Sequence, residues 1–164
     1  LKAICEPIKP KPPVTKIIVY LPTYYDVYDS IPDQTHDQSE ISMSTLLLIT
    51  SAPTSIHAWH AFELAQALHT KGETLHVFFY QDAVQVANSL QWFPDDQRHL
   101  THEWQKLSIR LPVCVSAALN RGITDQENAK RHQLSNSNLA QGFELVGLGE
   151  LADALQSSAR IVQF

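Results

Sequence analysis

Cysteine is scarce in this 164-residue chain, which has only Cys5 and Cys114. Two cysteines so far apart do not make the dense framework that staples small secreted domains, and they point to a reducing, cytoplasmic setting. Long apolar runs are missing as well. The best candidates, "KIIVYLP" and "STLLLIT", stop after about six residues, far short of the roughly 20 that a membrane span needs. Lys2, Lys9, Lys11 and Lys16 are interleaved with prolines, and no apolar stretch with a small-residue cleavage site follows them. No secretory signal is expected. Positive charge is also in deficit, with 12 Lys and Arg against 17 Asp and Glu and a net charge of −5. That balance argues against a broad phosphate-gripping surface for nucleic acid.

Glycine is absent from the first 42 residues: Gly72, Gly122, Gly142, Gly147 and Gly149 all come later, whereas six of the nine prolines come earlier. "CEPIKPKPPVTK" reads as extended, polyproline-like chain, and "PDQTHDQSE" as a polar linker. Residues 1–42 are therefore expected to be a non-core extension. The single methionine, Met43, stands at this seam immediately before the strand-like "STLLLITS", so the natural start is expected at Met43. Residues 43–164 make the expected domain, and an apolar content of 44% with 18% charged residues suits one soluble α/β unit.

From Met43 onward, strand and helix patterns alternate. Thr45 to Thr50 is a short apolar run of the kind buried on both faces of a parallel sheet. "HAWHAFELAQALHTKG" sets Trp59, Phe62, Ala65 and Leu68 at helical spacing and ends on Gly72. Leu75 to Tyr80 is a second strand, and "DAVQVANSL" a short helix with Asp82 as N-cap. "THEWQKLSIRL" is helical, and "PVCVS" is a strand that tolerates Pro112 at its first residue. Two short helices divided by Gly122 follow, the second opened by a Thr124/Glu127 capping box. "FELVGL", "GELADALQSS" and "ARIVQF" complete the pattern as strand, helix and strand. The expected fold is α/β, a mostly parallel sheet flanked by helices on both faces in a Rossmann-like sandwich.

In such sheets, reactive groups gather where strand carboxyl ends meet helix N-termini. Cys114 lies near the end of its strand, with Ser116 as the expected cap of the next helix. A helix N-terminus favours a thiolate, which makes the sulfur a nucleophile or sulfur carrier. Free cysteine is also among the most buried residue types, and "VCV" is an apolar setting. The residues alone leave both roles open.

The blocks "ELAQALHTKGETLHVFFYQDAVQVAN", "LPVCVSAALNRGI", "SNLAQGFELVGLGELADAL" and "RIVQF" resemble the DsrE-like sulfur-relay family, and within it the TusD proteins. The likeness runs from about Met43 to Phe164 and matches the family's persulfide-bearing cysteine onto Cys114. It implies a sulfurtransferase in a heterohexamer with TusB- and TusC-like subunits. It also implies a TusA-type sulfur donor and a TusE-type acceptor serving 2-thiouridine synthesis at the tRNA wobble position, with no direct tRNA binding, no cofactor and no metal. Two alternatives are a non-catalytic scaffold subunit of the same complex and a DsrE-type carrier in sulfur oxidation. The chain departs from the family in "SAPTSIHAWH", where a Gly-containing loop is usual; that loop is expected to border the cysteine.

Other constellations compete. His57 with His60, and His99 with His102, have H-x-x-H spacing, but no carboxylate or cysteine completes a metal set and solvated helix surface is the plainer reading. His57 is a candidate neighbour of Cys114 that would stabilise a thiolate. Arg121, seven residues past Cys114, either supplies positive potential to a persulfide or complements a helix C-terminus. Gly147 and Gly149 lack the third glycine of a dinucleotide fingerprint and read as a tight strand-to-helix turn. Trp59, Trp92, Phe93 and Trp104 belong either to the core or to contact surfaces.

Overall fold

A computed structural model describes residues 44–164; the expectations for residues 1–42, Cys5 and the Met43 start lie outside them. Five strands, β1 (Thr45–Ile49), β2 (Leu75–Phe79), β3 (Leu111–Cys114), β4 (Phe143–Val146) and β5 (Arg160–Gln163), form one sheet in the order β4-β3-β2-β1-β5. Every pairing is parallel. The helices are α1 (Ile56–Thr70), α2 (Leu100–Lys106), α3 (Val115–Leu119), α4 (Gln126–Arg131) and α5 (Leu148–Ser157). Three successive crossovers, β1 to β4, step one way across the sheet, and the fourth returns from β4 to β5 at the far edge. Because parallel crossovers are right-handed, α5 crosses the face opposite to the one covered by α1 to α4.

Local chemistry explains the element ends. Ser55 caps α1, its hydroxyl accepting the His57 N–H at 3.2 Å. At the other end Gly72, with φ of +74°, lets Glu73 N–H return to the Leu68 carbonyl and close the helix. Three expected caps are corrected. Residues Gln81–Ala87 form a 3-10 helix rather than an α-helix, its cap position is Tyr80 rather than Asp82, and Asp82 turns instead to Arg121. The cap of α4 is Asp125, not Thr124: its carboxylate accepts the Asn128 N–H at 2.7 Å, while Glu127 pairs with Arg131. Asp is the stronger N-cap, so the helix starts one residue later. At α3, Cys114 itself holds the cap position and Ser116 lies within the helix, because β3 runs into α3 without a loop. Strand β3 also starts one residue early, at Leu111.

Register aligns Ile49, Phe79 and Val113 across the sheet, and Leu111 with Phe143. On this face Phe79 meets Trp104 of α2 edge-on at 5.2 Å and Phe143 at 5.6 Å, and Trp104 in turn meets Phe62 of α1 at 5.4 Å. Each fully buried ring contributes roughly 2 to 3 kcal/mol through apolar area alone, so this cluster holds α1 and α2 to the sheet. Trp104 is 1% exposed whereas Trp92, in the loop before α2, is 82% exposed, which separates core aromatic from surface aromatic. α5 has no buried residue; Leu151 and Ala154 rest on the core, and Glu150 is tied by Arg110, which also pairs with Glu144, each at 2.6 Å. Among the described residues no helix is long and apolar enough to cross a membrane.

Candidate functional site

Cys114 ends β3, the second strand from one edge, with Val146 of β4 in register beside it. Phe79 pairs with Val113, so Tyr80 flanks Cys114 on the β2 side. Strand alternation turns Leu111 and Val113 toward α1 and α2, and Pro112 and Cys114 toward the face that α5 crosses. The thiol is 1% exposed and is the one free cysteine among the described residues. It is both packed like a small hydrophobe and placed at a strand carboxyl end against a helix start.

The helix that begins there is held by long-range bonds. α3 spans five residues, of which Ala117 and Ala118 are buried. It stops at Gly122, whose φ of +72° lets the Ile123 N–H reach the Ala118 carbonyl at 2.9 Å. Arg121 folds back along α3: Nη1 donates to the Ala117 carbonyl at 3.2 Å, while Nε and Nη2 donate to Asp82 Oδ1 at 3.1 and 2.7 Å. Arg121 is thus committed to an ion pair with the 81–87 helix. Beneath this corner, Asn138 Oδ1 accepts the Thr124 N–H at 2.9 Å, and its Nδ2 donates to the Gly122 carbonyl at 2.9 Å and to Asn88 Oδ1 at 3.2 Å. Neither Asp82 nor Asn138 is marked as a partner in the sequence, since their contacts span 39 residues in one case and 14 to 50 in the other.

Other candidates lie elsewhere. His57 is exposed in the first turn of α1 and packs edge-on to His60 at 6.3 Å. α1 follows β1, which β2 separates from β3, so His57 is not brought to Cys114. The 51–60 segment, expected as a loop bordering the cysteine, is a short loop that runs into α1 at Ile56 and is one strand removed for the same reason; its start is pinned to the end of β5 by the Thr50 N–H and hydroxyl donating to the Phe164 carbonyl at 2.8 and 2.6 Å. His99 stacks on His102 at 4.4 Å and packs against Phe93 at 4.1 Å. Burial first, and the neighbouring His102 second, hold the His99 imidazole below its ordinary value. Among the described residues no three metal-ligating side chains converge. Gly147 is the cap residue of α5, the tight strand-to-helix turn expected of it.

Residues 43–164 match the model of the DsrE/DsrF-like family. The chain belongs to the DsrE/DsrF-like family. Within it, a sulfurtransferase TusD homolog of Vibrio vulnificus is 46% identical over 125 residues, covering 73% of this chain and 95% of that protein. A TusD homolog of Vibrio parahaemolyticus is 43% identical over the same shares, and one of Aliivibrio fischeri is 45% identical over 63% of this chain and 84% of its own length. The resemblance to TusD proteins read from the sequence blocks is therefore borne out. The ychN protein of Escherichia coli, solved by crystallography, superposes with a TM-score of 0.61 over 74% of this chain and 99% of its own, at 21% identity. At that identity it speaks for the DsrE-like fold alone, in agreement with the all-parallel sheet.

Proposed function

We propose that this chain is a sulfurtransferase subunit of a sulfur relay, with Cys114 as the carrier. The observation that carries this reading is the position of Cys114 at the carboxyl end of an interior parallel strand, as the cap residue of α3, in a family whose TusD members are sulfurtransferases by name. Strand carboxyl ends are where open α/β sheets present reactive groups.

In the loading step the Cys114 thiolate attacks the outer sulfur of a donor persulfide. A new S–S bond forms at Cys114, the donor's S–S bond breaks, and the donor leaves as a thiolate. In the unloading step an acceptor thiolate attacks the outer sulfur now on Cys114, and Cys114 departs as a thiolate. The two steps balance without an external oxidant or reductant, and one cysteine suffices. The proposed setting is that of the TusD resemblance: TusB- and TusC-like subunits in a heterohexamer, a TusA-type donor and a TusE-type acceptor, serving 2-thiouridine synthesis at the tRNA wobble position in the cytoplasm. Residues 43–164 form the carrier domain, and residues 1–42 an extension outside it.

The test is intact-protein mass spectrometry after incubation with a persulfidated TusA-type donor. Wild type gains about 32 Da, one sulfur atom added to a thiol, and Cys114→Ser gains nothing. A wild-type chain in a competent complex that stays unmodified at Cys114 overturns the reading. A second reading, a non-catalytic scaffold subunit, is favoured by the 1% exposure of Cys114; it predicts that Cys114→Ser leaves both assembly and sulfur transfer intact.

A further inference from the structure

A sulfur carrier must be reached, yet Cys114 is closed off by its own chain. Cys114 is the last residue of β3 and the cap residue of α3, with Val146 of β4 in register beside it, so contact with another sulfur requires that junction to open. α3 has little of its own to keep it in place. It has five residues, no side-chain cap bond and no acidic residue in its first turn, too short to be stable through its own hydrogen bonds. Its position depends on what ties it to the rest of the fold.

One side-chain tie is the Arg121–Asp82 pair. A single guanidinium bonds the carboxylate of the 81–87 helix through two nitrogens and the Ala117 carbonyl of α3 through the third. It therefore joins the two helices that leave adjacent strand ends, β2 and β3, on the rim that holds Cys114. Both partners are partly exposed, at 31% for Arg121 and 59% for Asp82. A tie of this kind is weak enough to yield and open enough for a partner's charged group to compete for either end.

We propose that Arg121 and Asp82 are a positioning pair that holds the β3–α3 junction closed and sets how readily Cys114 is reached. The inference deepens the carrier reading of Cys114, but its test moves no sulfur, so the two can fail separately. The full chain is treated with iodoacetamide across a pH series, and alkylation is read at the Cys114 peptide so that Cys5 does not contribute. At pH values where the rate has levelled off, Asp82→Asn should alkylate about two- to fivefold faster than wild type, the range open to a half-exposed ion pair acting on a local opening. Asp82→Glu should restore the slow rate, and Glu127→Gln, which breaks the exposed Glu127–Arg131 pair on α4, should leave it unchanged. The rates should be flat in dilute urea, since a local opening exposes little surface. If Asp82→Asn lowers overall stability enough to unfold the chain, Arg121→Lys serves instead, keeping the charge but losing the forked contact, with the same increase expected.

An unchanged rate in Asp82→Asn or its substitute overturns the pair's role. So does failure of Asp82→Glu to restore the slow rate, or a rate that climbs with urea along the full unfolding slope, because exposure would then come only through global unfolding.

Discussion

Asn138 should be worth more to this fold than its place in a polar loop suggests. In Asn138→Ala, three hydrogen bonds disappear: from the Thr124 N–H, and to the Gly122 carbonyl and the Asn88 Oδ1. They are not equivalent. Gly122 is exposed and Asn88 half-buried, so water reaches both acceptors and replaces the lost donor at small cost. Thr124 is 3% exposed, and its N–H would be left buried without a partner, at a cost of about 1 to 3 kcal/mol. With a few tenths from the other two bonds, the expected loss is about 2 kcal/mol. Asn138→Asp should lose at least as much, because a carboxylate would face two oxygen acceptors that now receive a proton each. The assay is equilibrium urea unfolding followed by fluorescence of the buried Trp104, with Asn136→Ala, an exposed neighbour, as a reference expected to change nothing. A loss below about 0.5 kcal/mol in Asn138→Ala, the lower limit for even one net hydrogen bond, would refute the reasoning that this side chain pins the corner below α3.

Two further outcomes follow from the same corner and its surroundings. Gly122→Ala should destabilise the chain by about 1 kcal/mol: nothing lies within 4 Å of the added Cβ, so the whole cost is the positive φ that closes α3, and a neutral result in urea unfolding would show that the turn relaxes freely. Burial, and the neighbouring His102 after it, hold the His99 imidazole below its ordinary value in the folded chain, so the unfolded chain binds the proton at higher pH and stability should fall as pH drops from about 7 towards 5. His99→Gln should flatten that part of the urea-midpoint profile, and an unaltered slope would assign the loss to other groups.

The chain's own residues determined the fold class. Short β-branched and aromatic runs such as "TLLLI" and "LHVFF", alternating with helical spacing in 56–70 and 148–157, permit little besides a parallel sheet, because each strand needs both faces covered and each crossover needs a helix. Cys114 stood out for a local reason as well: the apolar strand ends where small helix-forming residues begin, and that boundary is written in adjacent positions. Caps shifted by one or two residues, from Thr124 to Asp125 and from Ser116 to Cys114, because neighbouring residues compete for the same N–H groups and tertiary packing selects among them. The pairing of Arg121 with Asp82, the triple clamp of Asn138 and the separation of His57 from the cysteine were decided only in three dimensions. Each depends on strand order, β4-β3-β2-β1-β5, and strand order is set by how buried faces pack together, which no short stretch of chain encodes.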